Sequence, residues 1–181
     1  MPRLIETQTR TGTMVHAINR ILVTQGVFGL TLRSIARESR ISTGSLLHHF
    51  ECRERILRVA AHQTGLAFLG GIESEVIWRG VEGFLPVDDD DLLLTRAWLA
   101  WVELWRSEEW LEPTITALRG RERGMLAEAH EFRLSRPDLD LMTAILEGLR
   151  SALCAPSRPM SPERARTLLR GASASALERS A

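Results

Sequence analysis

The sequence contains no tyrosine, no lysine and only two cysteines. Arginine therefore carries all 23 positive charges, a bias we read as codon usage in a GC-rich genome. Without tyrosine, no phenolic hydroxyl is available to hold a phosphate. Cys52 and Cys154 lie far apart and form no disulfide framework, so a reducing cytoplasm is the expected setting. No apolar run approaches the roughly 20 residues that a membrane span needs. The opening Met1 to Glu6 lacks a signal peptide's apolar middle, so no membrane partner is expected. Strand-type alternation is nearly absent, which argues against a sheet. There is no G-x-S-x-G, no Walker loop, no cluster with metal-ligand spacing and no convincing nucleophile–base pair. Catalytic residues, a cofactor and a metal are accordingly not expected.

What is present is ordinary globular material. The 181 residues are 44% hydrophobic and 25% charged, enough for one compact unit or two small ones. Net charge is zero but unevenly spread. Residues 1–58 carry nine Arg and four acids, or +5; the remainder carry 14 Arg and 19 acids, or −5. A basic N-terminal third suits contact with a polyanion, and an acidic remainder would avoid one. Chance clustering is the plainer alternative.

Apolar spacing predicts helices almost throughout. The first runs from about Thr9 to Gln25, with Met14, Ile18, Ile21 and Leu22 on one face. Gly26 suits its C-terminus, and Val27 and Phe28 then read as apolar anchors. Thr31 is a good N-cap for a short helix over 32–38, and Ser42 for another over 43–49. Short helices are marginal alone and must pack on one another. Two of them joined by a tight turn make a helix-turn-helix, whose second helix is offered to the DNA major groove. Longer helices follow: Arg53 to about Trp78, Asp88 to about Arg106, Pro113 to about Ser135, 138–154 and 162–179. A Pro-rich break over 155–159 separates the last two.

The residues Gly26, Thr31, Ile35-Ala36, Ile41-Ser42, Gly44-Ser45-Leu46, His49-Phe50, Arg53-Glu54 and Ile56-Leu57 resemble the signature of TetR-type transcriptional regulators. The resemblance implies an all-α chain. A three-helix DNA-binding domain over 1–52 would precede a helical ligand-binding and dimerisation domain over 53–181. The candidate DNA contacts are Thr31, Arg33, Arg40, Ser42, Thr43, Gly44, Ser45, His48, His49 and Arg53. Small residues at a helix N-terminus let the backbone approach the duplex, and its free N–H groups favour anions. Simple capping explains Ser42 equally well, and packing explains His49. Three positions depart from the pattern: Leu47 where Tyr is common, Arg40 where the turn usually has Gly, and Cys52 in place of a good cap. Cys52 beside Arg53 and Arg55 suggests an oxidation sensor, and with His48 half a metal site; a neutral replacement is the simpler reading.

Phe68, Trp98, Trp101, Trp105, Met125 and Phe132 form the candidate ligand pocket, for an apolar or aromatic molecule; a well-filled core accounts for any one of them. The four aspartates at 88–91 lack the spacing of a calcium loop and read as a solvated helix start. The resemblance implies a homodimer through the last two helices, with Met142, Ile145, Leu149, Leu153, Leu168, Leu169, Ala172 and Ala176 at its interface. The expected function is a dimeric repressor released from palindromic double-stranded operator DNA by a small ligand. Two alternatives stand beside it: a helical interaction protein that has lost DNA binding, and an enzyme using the Trp-lined cavity.

Overall fold

The computed structural model describes residues 2–157 and 159–180, so Arg158 of the Pro-rich break lies outside the described residues. Among them there are eight α-helices and no strand. They are α1 (Pro2–Gln25), α2 (Leu32–Ser39), α3 (Thr43–Phe50), α4 (Arg53–Arg79), α5 (Asp89–Trp105), α6 (Glu112–Ala129), α7 (Arg136–Cys154) and α8 (Pro162–Arg179). Short 3-10 turns occupy Val27–Gly29, Gly80–Phe84 and Glu109–Leu111. No helix among the described residues is long and apolar enough to cross a membrane.

Packing groups the chain into two compact units. One unit takes the residues up to Leu66 together with Arg96–Thr116; the other takes Ala67–Thr95 and the chain from Ala117. Helices α4, α5 and α6 contribute to both.

In the first unit, Met14, Ile18, Ile21 and Leu22 of α1 are buried, as their helical spacing requires. Gly26 ends the helix at φ 69°, a conformation glycine adopts without penalty. The anchor beyond it is Leu30 and not Phe28: Leu30 is 3% exposed and Phe28 96%. The 3-10 turn rotates the Phe28 ring outward, which helical spacing alone does not anticipate. Asn19 Oδ1 accepts from both Thr64 Oγ1 (2.9 Å) and the Trp101 indole N–H (3.0 Å). One half-buried amide thus ties α1 to α4 and α5.

In the second unit, α7 packs on α8. Gly83 lies so close to α4 that a Cβ there would fall 2.4 Å from the Val76 nitrogen. Buried Arg150 of α7 donates from Nε to the Phe84 carbonyl at 2.9 Å, pairs with Glu122, and lies over the Phe68 ring. Buried His130 bridges the Leu126 carbonyl (2.8 Å) and Ser173 Oγ (2.7 Å). A carbonyl only accepts, so Nδ1 carries a proton and donates it to Leu126. Helix α6 ends at Ala129, short of the expected Ser135, because Glu131 and Phe132 adopt left-handed φ of 55° and 57°.

The start of α7 and the end of α8 are joined through Asp138. Its carboxylate accepts from Ser135 Oγ (2.6 Å), from Arg179 Nε and Nη2 (2.9 and 2.6 Å), and from Ser180 Oγ (3.1 Å). These bonds, Ser135's foremost and Arg179's next, hold the carboxyl below its ordinary range. A depressed folded pKa stabilises the fold above the ordinary carboxylate pKa, and that contribution is lost as pH falls through the folded value. Asp138→Asn should therefore lower the melting temperature at neutral pH. The gap to the wild type should narrow in acid, once the wild-type carboxyl is itself protonated. Equal gaps at both pH values would refute this role.

Candidate nucleic-acid interface

Each short helix of the first unit begins on a side-chain cap. Thr31 Oγ1 accepts the Ser34 N–H at 3.1 Å, and the Thr31 N–H donates back to Ser34 Oγ at 2.9 Å. Ser42 Oγ accepts the Ser45 N–H at 3.1 Å and starts α3. Such caps each contribute about 1 kcal/mol, a large share of what an eight-residue helix needs.

The turn between them passes through Arg40 at φ 57° and ψ 28°, the left-handed conformation for which the related pattern has glycine. Its neighbour Ser39 holds it there. The buried Ser39 hydroxyl donates to the Ile35 carbonyl (2.7 Å) and accepts the Ile41 N–H (3.3 Å), spanning the residue between. The departure at Arg40 is thus accommodated locally, at a cost of roughly 1–2 kcal/mol.

Ile35, Leu46 and Phe50 are buried and lock α2 and α3 together, while Ala36 and Ile41 are half-buried. Burying Leu46 and Phe50, four residues apart, turns the opposite face of α3 outward. That face carries Gly44, Leu47 and His48, all exposed. Ser42 and His49 are exposed, and Thr43 and Ser45 half-exposed. The His49 ring also meets Phe50 edge-on at 4.7 Å, so it serves packing as well. Thr31, Arg33, Arg37 and Arg40 are exposed around this helix pair.

Arg53 has a partner that local sequence patterns do not show. Its Nη1 donates to Glu108 Oε1 at 3.2 Å, and the other oxygen of Glu108 accepts the Trp110 indole N–H at 2.7 Å. Arg58 lies over the Trp110 ring at 5.7 Å. The arginine expected to hold a phosphate is thus already half-engaged by a carboxylate.

Glu54 is held below its ordinary range, first by a backbone hydrogen bond at the helix start and then by one from Cys52. The Cys52 sulfur therefore has a carboxylate as well as arginines for neighbours. Among the described residues, no group of three or more His, Cys, Asp or Glu converges as a metal site would require.

The six expected pocket residues are divided between the units. Trp98 and Trp101 are buried and Trp105 half-buried in the first; in the second, Phe68 is buried and Met125 half-buried. Phe132 is 73% exposed beyond the end of α6. The second unit has a cavity of about 340 Å³ that sequence reasoning missed, walled by Leu92, Leu153, Met160 and Pro162 with Asp88 and Asp89 beside them.

Of the expected dimer contacts, Met142, Leu149, Leu153, Leu169 and Ala176 are buried inside their own unit. Ile145 and Ala172 are half-buried and Leu168 is 38% exposed. The outward face of the two helices instead carries Leu141, Ala144, Gly148, Gly171 and Ala174.

With this geometry in view, solved structures supply the comparison. A transcriptional regulator of the TetR family from Rhodococcus sp. superposes with a TM-score of 0.82 at 21% identity, covering 93% of this chain and 99% of that one. The fold is that of the TetR-family regulators. A transcriptional regulator from Pseudomonas aeruginosa PAO1 superposes with a TM-score of 0.73 at 19% identity, over 97% of this chain and 95% of its own. The multidrug-binding protein EbrR, in complex with ethidium, aligns at 0.57 and 21% identity, over 90% and 98%. No family model matches the chain. No curated protein matches it either.

Proposed function

We propose that the chain is a sequence-specific DNA-binding transcriptional regulator, in preference to an enzyme or to an interaction protein without DNA binding. One observation carries this reading. The Ser42-capped recognition helix turns an uncharged outer face, Gly44, Leu47 and His48, to solvent among exposed arginines, within the TetR fold. Arginines around such a helix suit phosphates, and its outer face suits base edges. Thr31, Arg33, Arg40, Ser42, Thr43, Ser45 and His49 form the proposed surround.

The proposal extends to a cytoplasmic homodimeric repressor on a palindrome with half-sites about 34 Å apart. Leu141 (47% exposed) and Leu168 suit a second copy. So do Gly148 and Gly171, where a Cβ would meet nothing within 4 Å. A small apolar or aromatic effector is proposed on the strength of the cavity's apolar wall and of EbrR's complex with ethidium. Selection from a randomised duplex pool tests the reading. A single enriched palindrome bound by two protomers, with affinity falling steeply in salt, is the expected result; no enrichment would refute it.

The Glu108 contact then has a measurable consequence. Glu108→Gln keeps an oxygen for Trp110 but removes the charge that holds Arg53. Affinity for the selected duplex should rise several-fold in low salt. The log–log salt slope should steepen by up to about one per protomer, the release of one counterion. An unchanged slope would mean that Arg53 contacts no phosphate.

A further inference from the structure

Helix α3, Thr43–Phe50, contains no Arg, Lys, Asn, Gln, Asp or Glu. It therefore lacks the side chains that make bidentate hydrogen bonds to guanine or adenine and those that accept from cytosine. Its outward face nevertheless presents a large apolar group, Leu47, 38% exposed, beside His48. A helical side chain leans toward the N-terminus, over the residues three and four before it. For Leu47 these are Gly44 and Thr43. Gly44 has no side chain, and a Cβ there would meet nothing within 4 Å. Leu47 thus stands exposed beside a residue without a side chain, on a helix face open to the approach of a base edge.

Only one feature of the major-groove edges is apolar, the 5-methyl group of thymine. We infer that Leu47 reads a thymine methyl in each half-site, so that the chain selects T by apolar contact where a polar side chain would use hydrogen bonds. This rests on the DNA-binding reading above. The residue that departs from the related tyrosine then exchanges a phosphate contact for a base contact.

The test uses the duplex enriched from the randomised pool, with each thymine replaced in turn by deoxyuridine, which removes only the methyl. At one position per half-site the wild type should bind about fourfold more weakly, the effect of withdrawing one methyl from an apolar contact. Replacing both should cost about fifteenfold. Leu47→Ala, which keeps a strong helix former, should show the same loss on the thymine duplex and no further loss on the deoxyuridine duplex. A wild type indifferent to every replacement would overturn the inference. So would a Leu47→Ala protein still sensitive to the replacement, since another group, such as the Thr43 methyl, would then be the reader. In both cases duplex binding itself persists. Failure to enrich any duplex would instead remove the DNA-binding reading and this inference with it.

Discussion

Gly44→Glu should abolish binding to the selected duplex, by at least about a hundredfold in low salt, while leaving the fold intact. Gly44 lies in the first turn of α3, is exposed, and has open space where a Cβ would go. The first carbon of a side chain there meets no protein atom within 4 Å. A carboxylate near a helix N-terminus interacts favourably with the dipole, and replacing glycine relieves a propensity cost of about 0.5–1 kcal/mol. The melting temperature should therefore hold or rise. Facing phosphates, the same charge is repelled, and like-charge contact across an interface costs several kcal/mol. Gly44→Ala separates shape from charge and should weaken binding far less. If Gly44→Glu bound the duplex normally, the outer face of α3 would not be the reading surface.

Trp101→Ala should be the most destabilising single truncation in the first unit. The ring is fully buried, and its indole N–H donates to Asn19 Oδ1 at 3.0 Å. Removing a buried Trp side chain costs about 3–5 kcal/mol. In a chain of this length the melting temperature should fall by roughly 10 °C. Trp101→Phe preserves most of the apolar contact but loses the N–H. It should cost about 1 kcal/mol, the net worth of one hydrogen bond, since Asn19 is half-buried and keeps Thr64 as a partner. A Trp101→Phe, Asn19→Leu double variant should then cost less than the sum of the two single changes, because both sides of the bond are gone. The outcome also decides what Trp101 is for. A wall of a ligand site would give a small stability loss and an altered response to ligand, whereas a strut between α1 and α5 gives the large loss expected here.

Much of this was legible in the sequence where local chemistry dictates structure. Helices α2, α3 and α8 begin close to where their caps predict. Thr31 and Ser42 announce α2 and α3; Ser161-Pro162 does the same for α8. The end of α6 was not legible, since no glycine or proline marks it. The reversal is made by left-handed Glu131 and Phe132, residue types that rarely take that conformation. The pairing of Arg53 with Glu108 spans 55 positions and leaves no periodic trace.

Which faces of α7 and α8 turn inward is not legible in the pattern, for a different reason. Both sides of α7 are apolar or small: Met142, Leu146 and Leu149 on one, Leu141, Ala144 and Gly148 on the other. Periodicity cannot tell which side meets the protomer's own core. Burial does, placing the first group inside and the second outside. In the helix-turn-helix, local pattern places α2 and α3 but leaves Leu47 as a bare departure from the related tyrosine. Its meaning needed the observation that Leu46 and Phe50 point inward and so turn Leu47 out.

Amide hydrogen exchange of the full chain, with and without the selected duplex, tests whether the helix-turn-helix of the first unit reads duplex DNA. Exchange should slow over residues 31–53, most strongly at Ser42 to His48, and that protection should reverse in high salt. Duplex binding that left α3 exchanging at its free rate, with protection elsewhere in the chain, would contradict it.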